Sequence, residues 1–365
     1  MEEQKSALMT SGPIWQRIVF FAVPLFFGNL FQQLYNTADS LIVGKFLGDT
    51  ALAAVSSSGR LILLLVGFFN GISAGGGVVV ARYCGARDTE RVKRTVHTMV
   101  AFGLAAGVGL TVIGVVLAPQ ILILMGTPAN VLPQSTAYFR VYFLGSVAFV
   151  LYNVFVGILQ AVGDSRHPLF YLVVSSLVNV VLDLLFVAGF HWGVWAAAMA
   201  TVISQCVSAL LCLIHLLRAR NEVQLFPRQV AFDGPMFRQV ISNGLPAGVQ
   251  TSIISLANVV VQSNINAFGS SAMAGCGAYS KVEGFGFLPI TCFSLALTTF
   301  IGQNLGAGEI ERARKGARFG ILCSVTIAEL IGGLIWLLAP VLIGAFNDSA
   351  DVISYGVAQA RTVTL

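Results

Sequence analysis

Four acidic side chains, Asp39, Asp183, Glu283 and Glu329, stand inside long apolar runs of a 365-residue chain in which only 10% of residues are charged. A charge at the centre of a bilayer costs about 2.5–3.5 kcal/mol on insertion scales, so each of these carboxylates is a candidate for function. Gln32, Asn36 and Asp39 recur at i, i+4 and i+7, and Ser175, Asn179 and Asp183 at i, i+4 and i+8, so each set forms a polar stripe on one helix face. Such faces do not look at lipid, and a polar cavity between the two helices follows. Carboxylates in one low-dielectric cavity repel each other and are poorly solvated, which opposes ionisation of both. Such a pair can take up a proton, or a hard monovalent cation held by oxygen ligands. The alternative for each acid is a buried carboxyl that only bridges helices by hydrogen bonds. Glu283 lies two residues past Lys281, where an ion pair is a plausible role, and Glu329 stands alone in AELIGGLIW.

Other chemistries find little to work with. His97, His167, His191 and His215 sit near helix ends rather than together, and there is no HExxH spacing, so no metal site is expected. No GxxxxGK[ST] loop is present to cradle ATP phosphates. Cys84, Cys206, Cys212, Cys276, Cys292 and Cys323 are scattered without a CxxC and are assigned to packing. SAGGG (73–77) reads as close helix packing through small residues. The chain is therefore expected to be no enzyme and to use no cofactor beyond a coupling H+ or Na+.

The elements that must position the two stripes are membrane helices. Apolar residues make up 56% of the chain, and runs long enough to cross a bilayer recur throughout. Nine are placed at 18–43, 50–81, 93–118, 131–160, 167–189, 192–217, 239–267, 278–304 and 316–338, with a tenth beginning near Ala350. Stretches such as LTVIGVVLAP do not alternate in polarity, which excludes a barrel and leaves helices. The polar N-terminus leads into a long run containing Asn29, Gln32, Asn36 and Asp39 and no small-residue cleavage site, so it reads as a retained first helix.

Sixteen of the twenty-one Lys and Arg residues, from Lys5 and Arg17 to Arg318, fall in the N-terminal tail or in connections on its side of the membrane. That asymmetry places the N-terminus in the cytoplasm, in a cell inner (plasma) membrane. The net charge of +5 reflects loops facing anionic headgroups, and no basic patch with interleaved aromatics suggests a nucleic-acid partner. The expected partners are small organic substrates and lipid, around a monomer.

The chain also repeats itself. At a register of 221 residues, GDTALAA (48–54) meets GSSAMAG (269–275), CGARDTERVKR (84–94) meets LGAGEIERARK (305–315), and Ala118-Pro119 meets Ala339-Pro340. Upstream the offset is 222, aligning Pro24 with Pro246 and Asn36 with Asn258. Arg60 pairs with Lys281 and Arg140 with Arg361, charges that either snorkel, pair with a carboxylate or meet a substrate. A six-helix unit returns the chain to its starting side, so the copies share an orientation, related by an axis along the membrane normal. The fold class is all-α: a polytopic membrane protein of two parallel-repeat six-helix bundles, the second incomplete, since Leu365 corresponds to Leu144 early in a fourth helix. The bundles are placed at 1–217 and 239–365, joined by a solvated cytoplasmic linker at 218–238 that carries Pro227, Gly234 and Pro235. Asp39 is not repeated, since it falls opposite Val261.

NTADSLIVGKFLGDTALAA (36–54), GILQAVGDSRHPL (157–169), NVVLD (179–183) and IGQNLGAGEIERARK (301–315) resemble the multidrug and toxic compound extrusion (MATE) family along essentially the whole chain. The resemblance implies a V-shaped pair of bundles, alternating access, and export of amphipathic, often cationic organic compounds against an inward flow of protons or sodium ions. It implies a cation site at Asp39, Asn179 and Asp183, with Thr201 and Asn153 as weaker members, and a release role for a kink at Pro24. Another branch of the family carries a glutamate in the seventh helix. This chain has none between Leu245 and Phe268, which favours coupling through the N-terminal bundle. A related architecture, the lipid-linked-oligosaccharide flippase, would need a cationic cavity for its pyrophosphate cargo, and intramembrane bases here are few.

Overall fold

The computed structural model describes residues 8–47, 49–124, 127, 129, 131–266, 268–346 and 349–364. Lys5, Gly48 and Leu365 lie outside the described residues, as does the side chain of Arg60. The first repeat is built from α1 (Ile14–Leu47), α2 (Asp49–Gly85), α3 (Thr89–Val116), α4 (Ala118–Leu124), α5 (Leu132–Leu144), α6 (Ser146–Ala161), α7 (Arg166–Asp183) and α8 (Val194–Arg218). A π-helical turn, Leu184–Gly189, extends α7. The second repeat follows as α9 (Gly234–Asn266), α10 (Ser270–Gly306), α11 (Ile310–Gly344) and α12 (Ala350–Val363). No strand occurs among the described residues. Seven helices among them are long and apolar enough to cross a bilayer, and α5 with α6 makes an eighth span. The chain is an all-α polytopic membrane protein.

That last span departs from expectation. Residues 131–160 form two helices bent by 49° at Gly145. Gly145 lies so close to Val202 of α8 that a Cβ there would collide with the valine side chain, so the bend brings backbone against a neighbouring helix. The connector also differs. It is not simply solvated: Val223 and Leu225 are buried in the core of the first repeat, Leu225 N–H donates to Leu216 O, and Phe226 N–H donates to His97 Nε2 at 3.0 Å. Two apolar residues in a charged segment are enough to dock it. Cys206 is exposed, an exception to the packing role assigned to the cysteines.

Glycines set how closely the two repeats approach. Along α2, Gly71 faces Gly248 and Gly75 faces Gly244 of α9, and a Cβ at either α2 position would overlap the α9 backbone. Nearer the face that carries Arg82, Arg87, Arg312 and Arg314, the basic face, α2 crosses α10. There Gly85 lies against the Gln303 carbonyl and Gly306 against the Arg82 carbonyl. The 221-residue register pairs Gly85 with Gly306 and Arg82 with Gln303, so the contact is reciprocal between aligned positions.

Polar groups seal the same face. Gln303, fully buried, donates to Ala161 O and accepts from Met9 N–H, each at 2.7 Å, and Arg312 donates to Met9 O at 3.2 Å. The N-terminal segment is thereby strapped across the seam. Of the repeated charges, Arg140 donates to Val115 O at 3.2 Å and Arg361 lies 5.1 Å from the Trp336 ring centroid, so neither takes a carboxylate. Gly306→Ala should cost roughly 1–3 kcal/mol by overpacking the seam and lower the thermal midpoint of the purified chain. Gly333→Ala, where a Cβ meets nothing within 4 Å, should leave the midpoint unchanged, and equal midpoints for both variants would contradict this reading of the seam.

Candidate cation and substrate site

α7 contributes one buried stripe. Ser175, Asn179 and Asp183 are 5%, 1% and 0% exposed, with the Ser175 hydroxyl donating back to Leu172 O. Asp183 closes the α-helical part of α7, and the π turn begins at the next residue, with Phe190 N–H reaching Leu185 O. Such turns recur at functional positions because they re-aim the side chains around them. Beyond it, Phe186, Trp192 and Trp195 stack in series at 5.1 and 5.4 Å, fixing the α7–α8 hairpin.

α1 runs beside α7 and sets Asp39 next to Asp183, so the two carboxyl groups are near neighbours. Tyr138 of α5, buried, lies close to both acids, and Tyr35 lies one turn before Asp39. Within this cluster both Asp183 oxygens, Asp39 Oδ1 and both polar atoms of the Asn179 amide are buried without a hydrogen-bond partner. An unsatisfied buried polar group costs about 1–3 kcal/mol, more when charged, and Asp39 and Asp183 lie within hydrogen-bond reach of each other, so one shared proton or cation would relieve the pair. Carboxylate and amide oxygens suit a proton or a hard cation, and the residues present fit such an ion.

A cavity of about 250 Å³ lies between this cluster and the basic face. Its polar lining includes Asn29, Gln32, Asn70, Asn153, Gln160 and Gln205, set among Pro24, Phe149, Tyr152, Leu169 and Leu172. Among the described residues, no Lys, Arg or His lines it. Tyr35 stands beside both Gln32 and Gln205, so one tyrosine separates the cavity wall from the carboxyl pair.

The residues named from sequence therefore divide into groups. Asp39, Asn179 and Asp183 come together as expected. Gln32, Pro24 and Asn153 line the cavity instead, Asn153 also donating to Phe149 O. Thr201 spends its hydroxyl proton on Ala197 O, one turn back in α8. Asn36 is exposed, being roughly 60° around the helix from Asp39. Glu283 neighbours Tyr279, and no ion pair with Lys281 is found among the described residues, while Glu329 is exposed on α11, so neither belongs to the cluster. The histidines are not all apart: the His167 and His215 rings lie 4.5 Å apart. Sequence reading passed over Tyr35, Tyr138 and Gln205. Tyr35 is three residues after Gln32 and four before Asp39, and Gln205 is four after Thr201, so helical spacing alone would have added two of them to the stripes.

A polytopic membrane bundle with a buried acid pair beside a polar cavity is an arrangement suited to a membrane transporter. The chain belongs to the MatE family, whose profile matches residues 24–185 and 246–364, two segments that open on the aligned prolines Pro24 and Pro246. It is 31% identical to the probable multidrug resistance protein YoeA of Bacillus subtilis (strain 168), over 97% of this chain and 79% of YoeA. It is 23% identical to the multidrug export protein MepA of Staphylococcus saprophyticus, over 97% of this chain and 78% of that protein. A solved structure described as the outward-facing conformation of a multidrug resistance MATE family transporter of the MOP superfamily superimposes with a TM-score of 0.90 at 25% identity, covering 98% of this chain and 80% of that one.

If Tyr35 ties the cavity wall to the acids, Tyr35→Phe should weaken binding of a fluorescent organic cation about tenfold, the equivalent of about 1.4 kcal/mol. Fluorescence titration of the purified chain checks this, and an unchanged affinity would remove Tyr35 from the site.

Proposed function

We propose that this chain exports amphipathic, often cationic organic compounds by alternating access, coupled to inward movement of H+ or Na+. The observation that carries the proposal is the buried Asp39–Asp183 pair, with the unpartnered Asn179 amide, one tyrosine away from a polar-lined cavity. An ion at the pair neutralises charge that the pocket otherwise solvates poorly, and its arrival or departure changes which arrangement of α1 and α7 is favoured. Asp39, Asn179 and Asp183 are the coupling residues, with the Thr201 oxygen as an auxiliary ligand. Asn153 and Gln32 receive the organic compound, whose apolar parts meet Phe149, Tyr152 and Leu172.

Pro24 lies inside α1 and on the cavity wall, where a bend would move the wall and Asp39 together. The units that rock against each other are 1–217 and 239–365, joined by the linker at 218–238. With the basic face cytoplasmic, the seam at Gly85 and Gly306 seals the cytoplasmic side, and the cavity belongs to an outward-facing state. The working unit is a monomer in the plasma membrane with its N-terminus in the cytoplasm. A flippase for lipid-linked oligosaccharide finds no support, because the described wall residues include no Lys, Arg or His to partner a pyrophosphate.

Asn replaces Asp nearly isosterically but without the charge. In proteoliposomes, Asp39→Asn and Asp183→Asn should each reduce export of an organic cation at least tenfold while leaving the elution profile of the purified chain intact. Imposing a proton gradient and a sodium gradient separately identifies the ion. Undiminished export in either variant would contradict coupling through this pair.

A further inference from the structure

We propose that Asp164, His167 and His215 form a binding site for a divalent transition-metal ion of the zinc class at the basic face, distinct from the carboxyl pair. Asp164 lies in the turn between α6 and α7, His167 in the first turn of α7 and His215 in the last turn of α8. Each offers one ligand atom, and the three atoms lie within 4.8 Å of one another. Asp164 Oδ2 is the common point, 2.6 Å from His167 Nδ1 and 3.9 Å from His215 Nε2.

The ligands are held by a second layer of contacts. Asp164 Oδ1 accepts the backbone N–H groups of Arg166 and His167 at 3.2 and 3.1 Å, which turns Oδ2 toward the two imidazoles. His215 Nδ1 is 2.9 Å from the Tyr171 hydroxyl. With Nε2 on a metal, Nδ1 carries the proton and donates it to Tyr171, the outer hydrogen bond that ligating histidines generally make. Only His167 lacks such a tether, and it is the most exposed of the three.

The donor set selects the ion. Two imidazoles and one carboxylate suit Zn²⁺ and its neighbours, whereas Na⁺, Mg²⁺ and Ca²⁺ prefer all-oxygen shells. Metal–ligand bonds of about 2.0–2.1 Å in a tetrahedral site set ligand atoms about 3.3–3.4 Å apart. Asp164 and His167 open slightly and His215 closes slightly to reach that spacing, and the fourth position goes to water. His167 and Asp183 are sixteen residues apart on α7, which separates the site from the carboxyl pair by about 24 Å. An ion there ties the start of α7 to the end of α8, beside Ser165 and Pro168 on the cavity wall. Metal occupancy would thus stiffen the cavity's basic end.

The chain, prepared without a histidine tag, freed of metal by a chelator and held in detergent micelles, is titrated with Zn²⁺ by calorimetry and with Co²⁺ by visible absorption. One saturable equivalent is expected, with His167→Gln and His215→Gln each weakening affinity at least a hundredfold. Tyr171→Phe should weaken it about tenfold, the lower end of outer-shell effects, and Asp39→Asn should not alter it. Metal-free thermal midpoints matching the parent show that the variants are folded. Absence of saturable binding, unchanged affinity in the histidine variants, or loss of binding in Asp39→Asn would each overturn the assignment.

Discussion

The repulsion between two carboxyl groups confined to one poorly solvating pocket is the constraint around which this molecule is arranged. Two like unit charges about 4 Å apart repel by about 4 kcal/mol at an effective dielectric of about 20, before either pays for leaving water. Asp39 and Asp183 are neighbours in such a pocket, with Asn179 and Tyr138 beside them and no basic side chain in an ion pair with either among the described residues. On the proposed function, a small cation resolves the conflict, and its presence or absence gives the bundle two electrostatic states. The surrounding helices must keep the acids close enough to share one ion. Packing of α1 on α7, and the π turn that starts immediately after Asp183, meet that need.

The glycine seam supplies the complementary mechanical property. Backbone against backbone at Gly75 and Gly244, and at Gly85 and Gly306, gives large contact without interlocking side chains. Small-residue interfaces of this sort hold helices together in lipid mainly by close packing and can separate without dragging long side chains past one another. The buried Gln303 and the Met9 strap fasten the closed arrangement by a few directional bonds. On the proposed coupling, a local charge change at Asp39 and Asp183 would act on this small-residue interface.

Much of this was legible in the residues because helical periodicity is a strong signal at lipid depth. Spacing alone sets Asn179 and Asp183 on one face, and the repeat aligns Gly85 with Gly306, whose close packing only the fold shows. What stayed hidden depends on partners distant in sequence. Gly145 reads like any other glycine in an apolar run, and only the fold shows that Val202 of another helix lies where a Cβ at the bend would be. Val223 and Leu225 look like incidental apolar residues in a charged linker until α8 and α3 provide a surface to dock on. His167 and His215 are separated by nearly two helices, so their meeting is a consequence of the α7–α8 hairpin and not of any local motif. The cavity showed the same limit. Helical spacing groups Gln32 with the acids and the family resemblance adds Asn153, whereas the fold gives both the neighbouring wall and leaves Tyr35 to connect the two.

Infrared difference spectroscopy of the carboxyl bands, recorded on the purified chain as the cation is added and withdrawn, tests the sharing of one ion most directly. The account predicts a single ion-dependent carboxyl change that disappears alike in Asp39→Asn and in Asp183→Asn, because the two groups act as one site. Persistence of the full change in one of those variants, or spectra showing both carboxyls ionised at neutral pH with no cation bound, would contradict it.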